Sequence, residues 1–225
     1  MAVIFLTHQL IARYTENMQI TILGAGGRVG QLVTEISLAR GYEVVALVHS
    51  HSPYVEHAGL TVVKGDIYER STIDHVIRGS QAVISTLGSW HTPQQNVLEQ
   101  AMLALIPEMQ SQGIKRLITV TGSAALLERD HARWYQKIDH LFLKIIAPKV
   151  LRDSEAHLRL LSTSNLDWTS IRSPVMTKQA ATQYQLYATL PTGMKFISMR
   201  AVATALVDQI DQTTFFHQAP IIDKS

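Results

Sequence analysis

The chain has 225 residues, 46% of them apolar and 17% charged, with a formal net charge of +2. That balance supports a sizeable core, and the scattered basic residues exclude a nucleic-acid patch or a polybasic membrane anchor. There is no cysteine, so disulfides, thiolate metal sites and cysteine nucleophiles are excluded as well.

Residues 1–17, "MAVIFLTHQLIARYTEN", begin apolar. The run Ala2 to Leu6 is too short for a signal core, lacks a basic leader and is followed by His8. We read this segment as a peripheral extension. No stretch approaches a membrane span, and a cytoplasmic protein is expected. "MQITIL", Met18 to Leu23, is a buried-type strand ending at glycine. From Val29 the period changes: Val29, Leu32, Val33, Ile36 and Ala39 share one helical face, with Gly41 placed to end the helix. "EVVALV" is again a strand, which completes a βαβ unit.

The alternation continues along the chain. "LTVVKGD", "QAVISTLG", "KRLITVTGS" and "LDWTSIRSP" read as strands three to six. "STIDHVIRGS" and "QQNVLEQAMLALIPEMQSQG" read as helices, the second with a kink expected at Pro107. The stretch from Glu128 to Ser164 reads as two helices divided at Pro148. After Pro174 the rhythm breaks into short extended pieces ("YQLYATL", "MKFIS", "FFHQAPII") around one helix, "RAVATALVDQI". The pattern predicts an α/β fold: a doubly wound parallel sheet with helices on both faces. Residues 18–225 would form a single domain, with 172–225 completing a small C-terminal lobe on the substrate side.

"GAGGRVG", Gly24 to Gly30, lies between the first strand and the first helix. Glycines there let the backbone turn sharply and approach a pyrophosphate, and the helix then presents unpaired N–H groups to it. Gly24, Gly27 and Gly30 are spaced at one, four and seven, with Gly26 also present, so the spacing differs from the usual dehydrogenase fingerprint. With "GYEVVALV", "VVKGDI", "AVISTLG", "KRLITVTG" and "LDWTSIRSP" in that order, the chain from Met18 to Ile210 resembles atypical short-chain dehydrogenase/reductases of the NmrA-like kind. That group includes NADH-flavin reductases and biliverdin IXβ/flavin reductases. The resemblance implies a Rossmann-type NAD(P)-binding fold and, for many members, hydride transfer.

Candidate cofactor contacts follow. In the turn they are Gly24, Gly26, Gly27, Arg28, Val29 and Gly30. The second strand ends at His49, where a carboxylate would favour NAD and where relatives often place arginine for a 2′-phosphate. Arg28 is then the cation left for that phosphate, unless it is a solvated surface residue. NADP(H) is preferred on this ground and NAD(H) stays possible. The resemblance puts Asp66 and Ile67 beside the adenine, although Asp66 also suits a local turn. Thr86, Leu87 and Gly88 end the fourth strand with a slim edge against which a cofactor can lie. Thr121 and Gly122 end the fifth, near the expected nicotinamide.

None of the seven tyrosines has lysine four residues on, and Tyr135 and Lys137 stand two apart, facing different ways on a helix. The Tyr-x-x-x-Lys mechanism of alcohol–ketone interconversion is therefore not expected, and epimerase-like sugar-nucleotide chemistry is disfavoured with it. Hydride transfer to a flavin, quinone or similar planar acceptor needs no such pair. The alternative is a non-catalytic NAD(P)-binding sensor of the NmrA type. Ser123 is the candidate catalytic hydroxyl, or else a serine bonded within its own turn. Glu155 recurs in the family and reads as ordering the strand ends, and His157 reads as a helix-surface residue. His49, His51 and His57 have too few carboxylate neighbours for a metal, and none is expected. Trp134 and Tyr135 suit either a substrate lid or packing. The expected partner is a small planar acceptor, with neither nucleic acid nor membrane; the oligomeric state is left open.

Overall fold

The first apolar run forms β1 (Gln19–Leu23), and the helix after the glycine turn is α1 (Arg28–Ala39). Gly41, at φ 85°, reverses the chain after α1 and feeds it into β2 (Glu43–Val48). This computed structural model describes residues 18–89, 96–127, 130, 134–188 and 196–224, with main chain alone at 134–137 and 139. The proposed extension, residues 1–17, lies outside the described residues.

The alternation seen in the sequence is realised as β3 (Leu60–Lys64), α2 (Arg70–Ile77), β4 (Ala82–Ser85), α3 (Val97–Ser111), β5 (Arg116–Gly122), α4 (Trp134–Ile146), α5 (Pro148–Thr163) and β6 (Asp167–Ser173). Pro148 is the first residue of α5, where its missing N–H costs nothing. Pro107 lies inside α3. The main sheet has the order β3-β2-β1-β4-β5-β6, and every pairing among these strands is parallel.

Each strand sends alternate residues to opposite faces, and both faces of the central strands are covered, while the edge strand β3 is largely exposed. Ile20, Ile22, Ile84, Ile118 and Ile171 pack with Val33 of α1 and with Val202 and Leu206 of α6 (Met199–Asp208). Leu23, Val83, Leu117 and Trp168 pack with Ile73 of α2, Met102 and Leu105 of α3, and Leu158 and Leu161 of α5. A fully buried aliphatic chain contributes about 2 kcal/mol, so these two layers hold the strand ends fixed relative to one another.

The tail divides between two sheets. β7 (Val175–Thr177) pairs in parallel with β9 (Phe196–Ser198) as a separate two-stranded sheet. β10 (Ile221–Asp223) extends the main sheet beside β6, and β8 (Gln185–Tyr187) pairs antiparallel with β10 at its edge. The tail thus joins the main sheet through β8 and β10, while β7 and β9 stand apart from it. Pro174, immediately after β6, has no N–H for the ladder, and the chain leaves the main sheet there.

Candidate functional site

The chain runs outward from β1 to β3 in one direction and from β4 to β6 in the other, so β1 and β4 flank a topological switch point. The carboxyl ends of parallel strands part there and open a crevice, which is where open α/β sheets bind ligands. The glycine turn follows β1, and Thr86, Leu87 and Gly88 follow β4, so both predicted segments meet at this crevice.

Gly24 adopts φ 75°, a left-handed conformation open to glycine. A Cβ on Gly30 would stand 2.3 Å from the Gly24 carbonyl oxygen and 2.8 Å from Ala25 Cα, so the fold itself requires glycine there. At Gly26 the nearest atom to a Cβ would be the His51 carbonyl oxygen at 3.5 Å, which leaves room for a side chain. Gly27 is the N-cap of α1 and supplies no side-chain cap, and the first turn holds no acidic residue. Gln31 N–H makes the first intrahelical bond, to the Gly27 carbonyl at 2.9 Å. The amides of Arg28, Val29 and Gly30 thus start the helix without i−4 partners, and the positive end of the helix dipole opens on the crevice.

The β4 edge is tied directly to this turn. The Thr86 hydroxyl donates to the Leu23 carbonyl at 2.9 Å and reaches the Gly24 carbonyl at 3.1 Å. Gly88 and Gly122 have nothing within 4 Å of where a Cβ would be, so both present bare main chain. Thr121, on β5, is buried, and its hydroxyl has no hydrogen-bond partner among the described residues. Ser123 lies just beyond β5 and bonds through its N–H to the Ser173 carbonyl at 2.9 Å.

At the other end of the crevice, Arg28 and His49 are both exposed. The loop after β2 folds back on the turn, where the Tyr54 hydroxyl donates to the Ala25 carbonyl at 2.6 Å. Asp66 accepts the Tyr68 N–H at 3.0 Å, the local turn contact foreseen beside its adenine role. Ile67 is buried in the cluster that includes Leu23 and Leu47.

Helix α5 anchors the loops around this edge, in a way the sequence pattern did not reveal. Asp153 is buried and accepts N–H bonds from Leu98 (3.1 Å) and Glu99 (2.9 Å), as well as the Ser89 hydroxyl. It thereby caps α3 from a neighbouring helix, since the N-cap Asn96 makes no side-chain cap bond. Glu155 faces His140 of α4 at 3.5 Å, and the same His140 nitrogen is 3.2 Å from the Ala124 carbonyl.

His157 is a correction. Expected on the helix surface, it is fully buried, with Nε2 3.0 Å from the Thr119 hydroxyl. Burial pushes its pKa down to about 4, with the Leu98 main chain pulling weakly the other way. Arg172 of β6, also buried, donates to the carbonyls of Ala219 (2.7 Å) and Ala125 (3.2 Å) and to the Asp130 carboxylate. One guanidinium so fixes the loop after β5. A charged residue inside an apolar strand was the available signal for Arg172; nothing local marked Asp153. The side chains of Trp134 and Tyr135, weighed as a lid, lie outside the described residues.

Clefts of about 420 and 470 Å³ open around Trp168 and Arg116, at the amino edge of the sheet and away from the turn. Among the described residues no helix is long and apolar enough to cross a membrane.

A family model described as NAD(P)H-binding matches residues 24–213. The uncharacterized protein YwnB of Bacillus subtilis is 25% identical over 202 residues, 86% of this chain and 92% of its own. Among solved structures, a short-chain dehydrogenase/reductase from Veillonella parvula in complex with NADP aligns with a TM-score of 0.73 at 19% identity, over 92% of this chain and 94% of that one. ChuY from Escherichia coli, described as an anaerobillin reductase, aligns at 0.72 and 23% identity, over 92% and 97% of the two chains. These structural likenesses establish a shared fold. The residues present fit a dinucleotide: a glycine cradle that a Cβ at Gly30 would fill, bare main chain at Gly88 and Gly122, and an unpaired Thr121 hydroxyl beside them.

Proposed function

The chain belongs to the NAD(P)H-binding family, and from that membership we propose that it is an NADPH-dependent reductase of a planar acceptor such as a flavin or quinone. The observation that carries the reading is the helix start at the switch point, uncapped, free of acidic residues and walled by the Thr86–Gly88 edge. Amides of Arg28, Val29 and Gly30 would hold the pyrophosphate, and Thr121 with Gly122 would border the nicotinamide. When bound, the reduced nicotinamide supplies hydride.

Arg28 is our candidate cation for a 2′-phosphate, and His49 stands where a carboxylate would select NAD. The residues around the acceptor would orient it and exclude water, which is most of what direct hydride transfer asks of a protein. Reduction is the activity named for the ChuY neighbour.

The test is a pair of titrations followed by turnover. NADPH and NADH binding is measured by fluorescence, and absorbance at the nicotinamide band is then followed with FMN and simple quinones. NADPH should bind more tightly. Arg28→Ala should weaken NADPH about tenfold, the loss expected for one charge-assisted contact, and leave NADH within about twofold. Tighter NADH than NADPH binding would overturn the cofactor preference. Tight NADPH binding with no turnover of any acceptor would make the protein a dinucleotide sensor instead.

A further inference from the structure

A planar acceptor that takes a hydride is left with a negative heteroatom that a nearby acid can neutralise, and the Ser123 hydroxyl is too weak an acid to do so unaided. We propose that His140, held by Glu155, is the proton donor to the acceptor, an assignment that rests on the reductase reading above. Helix α4 turns His140 back onto the loop that follows β5. Its Nδ1 stands 3.2 Å from the Ala124 carbonyl oxygen and 3.5 Å from Glu155 Oε1. Ala124 directly follows Ser123 at the carboxyl edge of the sheet.

On the other side Ala125 and Asp130 are tied to β6, because Arg172 donates to the Ala125 carbonyl and to Asp130, and Asp130 accepts the Leu127 N–H at 2.8 Å. The imidazole is therefore pinned to a fixed edge. The side chains of His140 and Glu155 are 24% and 23% exposed, sheltered yet partly open to solvent. Donating Nδ1–H to the Ala124 carbonyl, with the Glu155 carboxylate beside it, sets the tautomer and leaves Nε2, which has no hydrogen-bond partner among the described residues. In its cationic form the ring carries a second N–H there.

The acceptor ring gains a C–H or N–H bond from the hydride released as the dihydronicotinamide C–H bond breaks. The acceptor's negative heteroatom then takes the Nε2 proton, forming an N–H or O–H bond as the imidazolium N–H breaks. The products are the oxidised nicotinamide and the reduced acceptor, and water returns the proton to His140. Glu155 keeps the ring oriented throughout.

His140→Asn keeps an N–H for the Ala124 carbonyl and removes the acid, so it separates proton donation from loop support. NADPH affinity, measured by fluorescence, should stay within about twofold while FMN turnover falls by about 10²–10⁴-fold. Imidazole added to His140→Ala should restore part of the turnover, which a purely structural role would not allow. Ring nitrogen-15 shifts of the nucleotide-free protein should place the neutral-state proton on Nδ1. Wild-type-like turnover in His140→Asn, NADPH affinity falling in step with turnover, no imidazole rescue, or the opposite tautomer would each overturn the assignment. A wild-type protein that binds NADPH and reduces nothing overturns the reductase reading and this assignment together. Active wild type with an equally active His140→Asn overturns this assignment alone.

Discussion

His157 makes the protein's stability depend on pH in a calculable way. Folded, its pKa is about 4 against an ordinary 6.5, because burial between β5 and α5 penalises the charged ring. The unfolded chain therefore binds the extra proton first as pH falls, and stability drops with it. The loss begins near pH 6.5 and is complete below pH 4. Its full size is about 3 kcal/mol, of which about 2 kcal/mol is gone by pH 5. His157→Gln keeps a donor for Thr119 and cannot take a charge. Urea unfolding of both proteins at pH 7, 6 and 5 isolates the effect, since the carboxylates contribute equally to each. The wild type should lose about 2 kcal/mol more than the variant between pH 7 and pH 5. Parallel curves would refute the argument, and would mean that the ring is hydrated or already charged in the folded protein.

The remaining expectations concern the turn and its supports. Gly30→Ala puts a methyl group 2.3 Å from the Gly24 carbonyl oxygen, which should cost about 1–3 kcal/mol in thermal or urea unfolding and weaken NADPH binding. Gly26→Ala has room in the protein alone, so its stability should change by less than about 0.5 kcal/mol. Any loss of NADPH affinity there would then report how closely the ligand approaches. Asp153→Asn replaces an acceptor of two main-chain N–H groups with a side chain that is half donor. It should cost about 2–3 kcal/mol in urea unfolding, and hydrogen exchange should quicken first at Leu98 and Glu99.

The sheet was legible because each central strand is an apolar run bounded by glycine or small residues, and the helices between them keep a 3.6-residue period. β7 went unread: three residues beyond a proline carry no period to detect. The turn after β1 was legible for the same reason that it matters, since glycine spacing records backbone approach. Helix α5 misled at His157 because its inner face also carries Asp153 and Ser154, and polar residues in a periodic pattern read as solvent-facing. Their partners are Thr119, Ser89 and the start of α3, which lie 38 to 64 positions away for the side-chain bonds. Pairings of that range leave no local mark. Arg172 and His140 are legible as residue types, and their value comes from carbonyls that the fold alone brings to them.

The Thr86 hydroxyl spans the boundary between the two halves of the sheet and bonds the last carbonyl of β1 and the first of the turn. The width of the crevice is thereby set when the chain folds. A ligand arriving there meets a slot of fixed gauge, so little ordering entropy is left to lose on binding. Discrimination between ligands then falls to the exposed groups at the two ends, where side chains can still move.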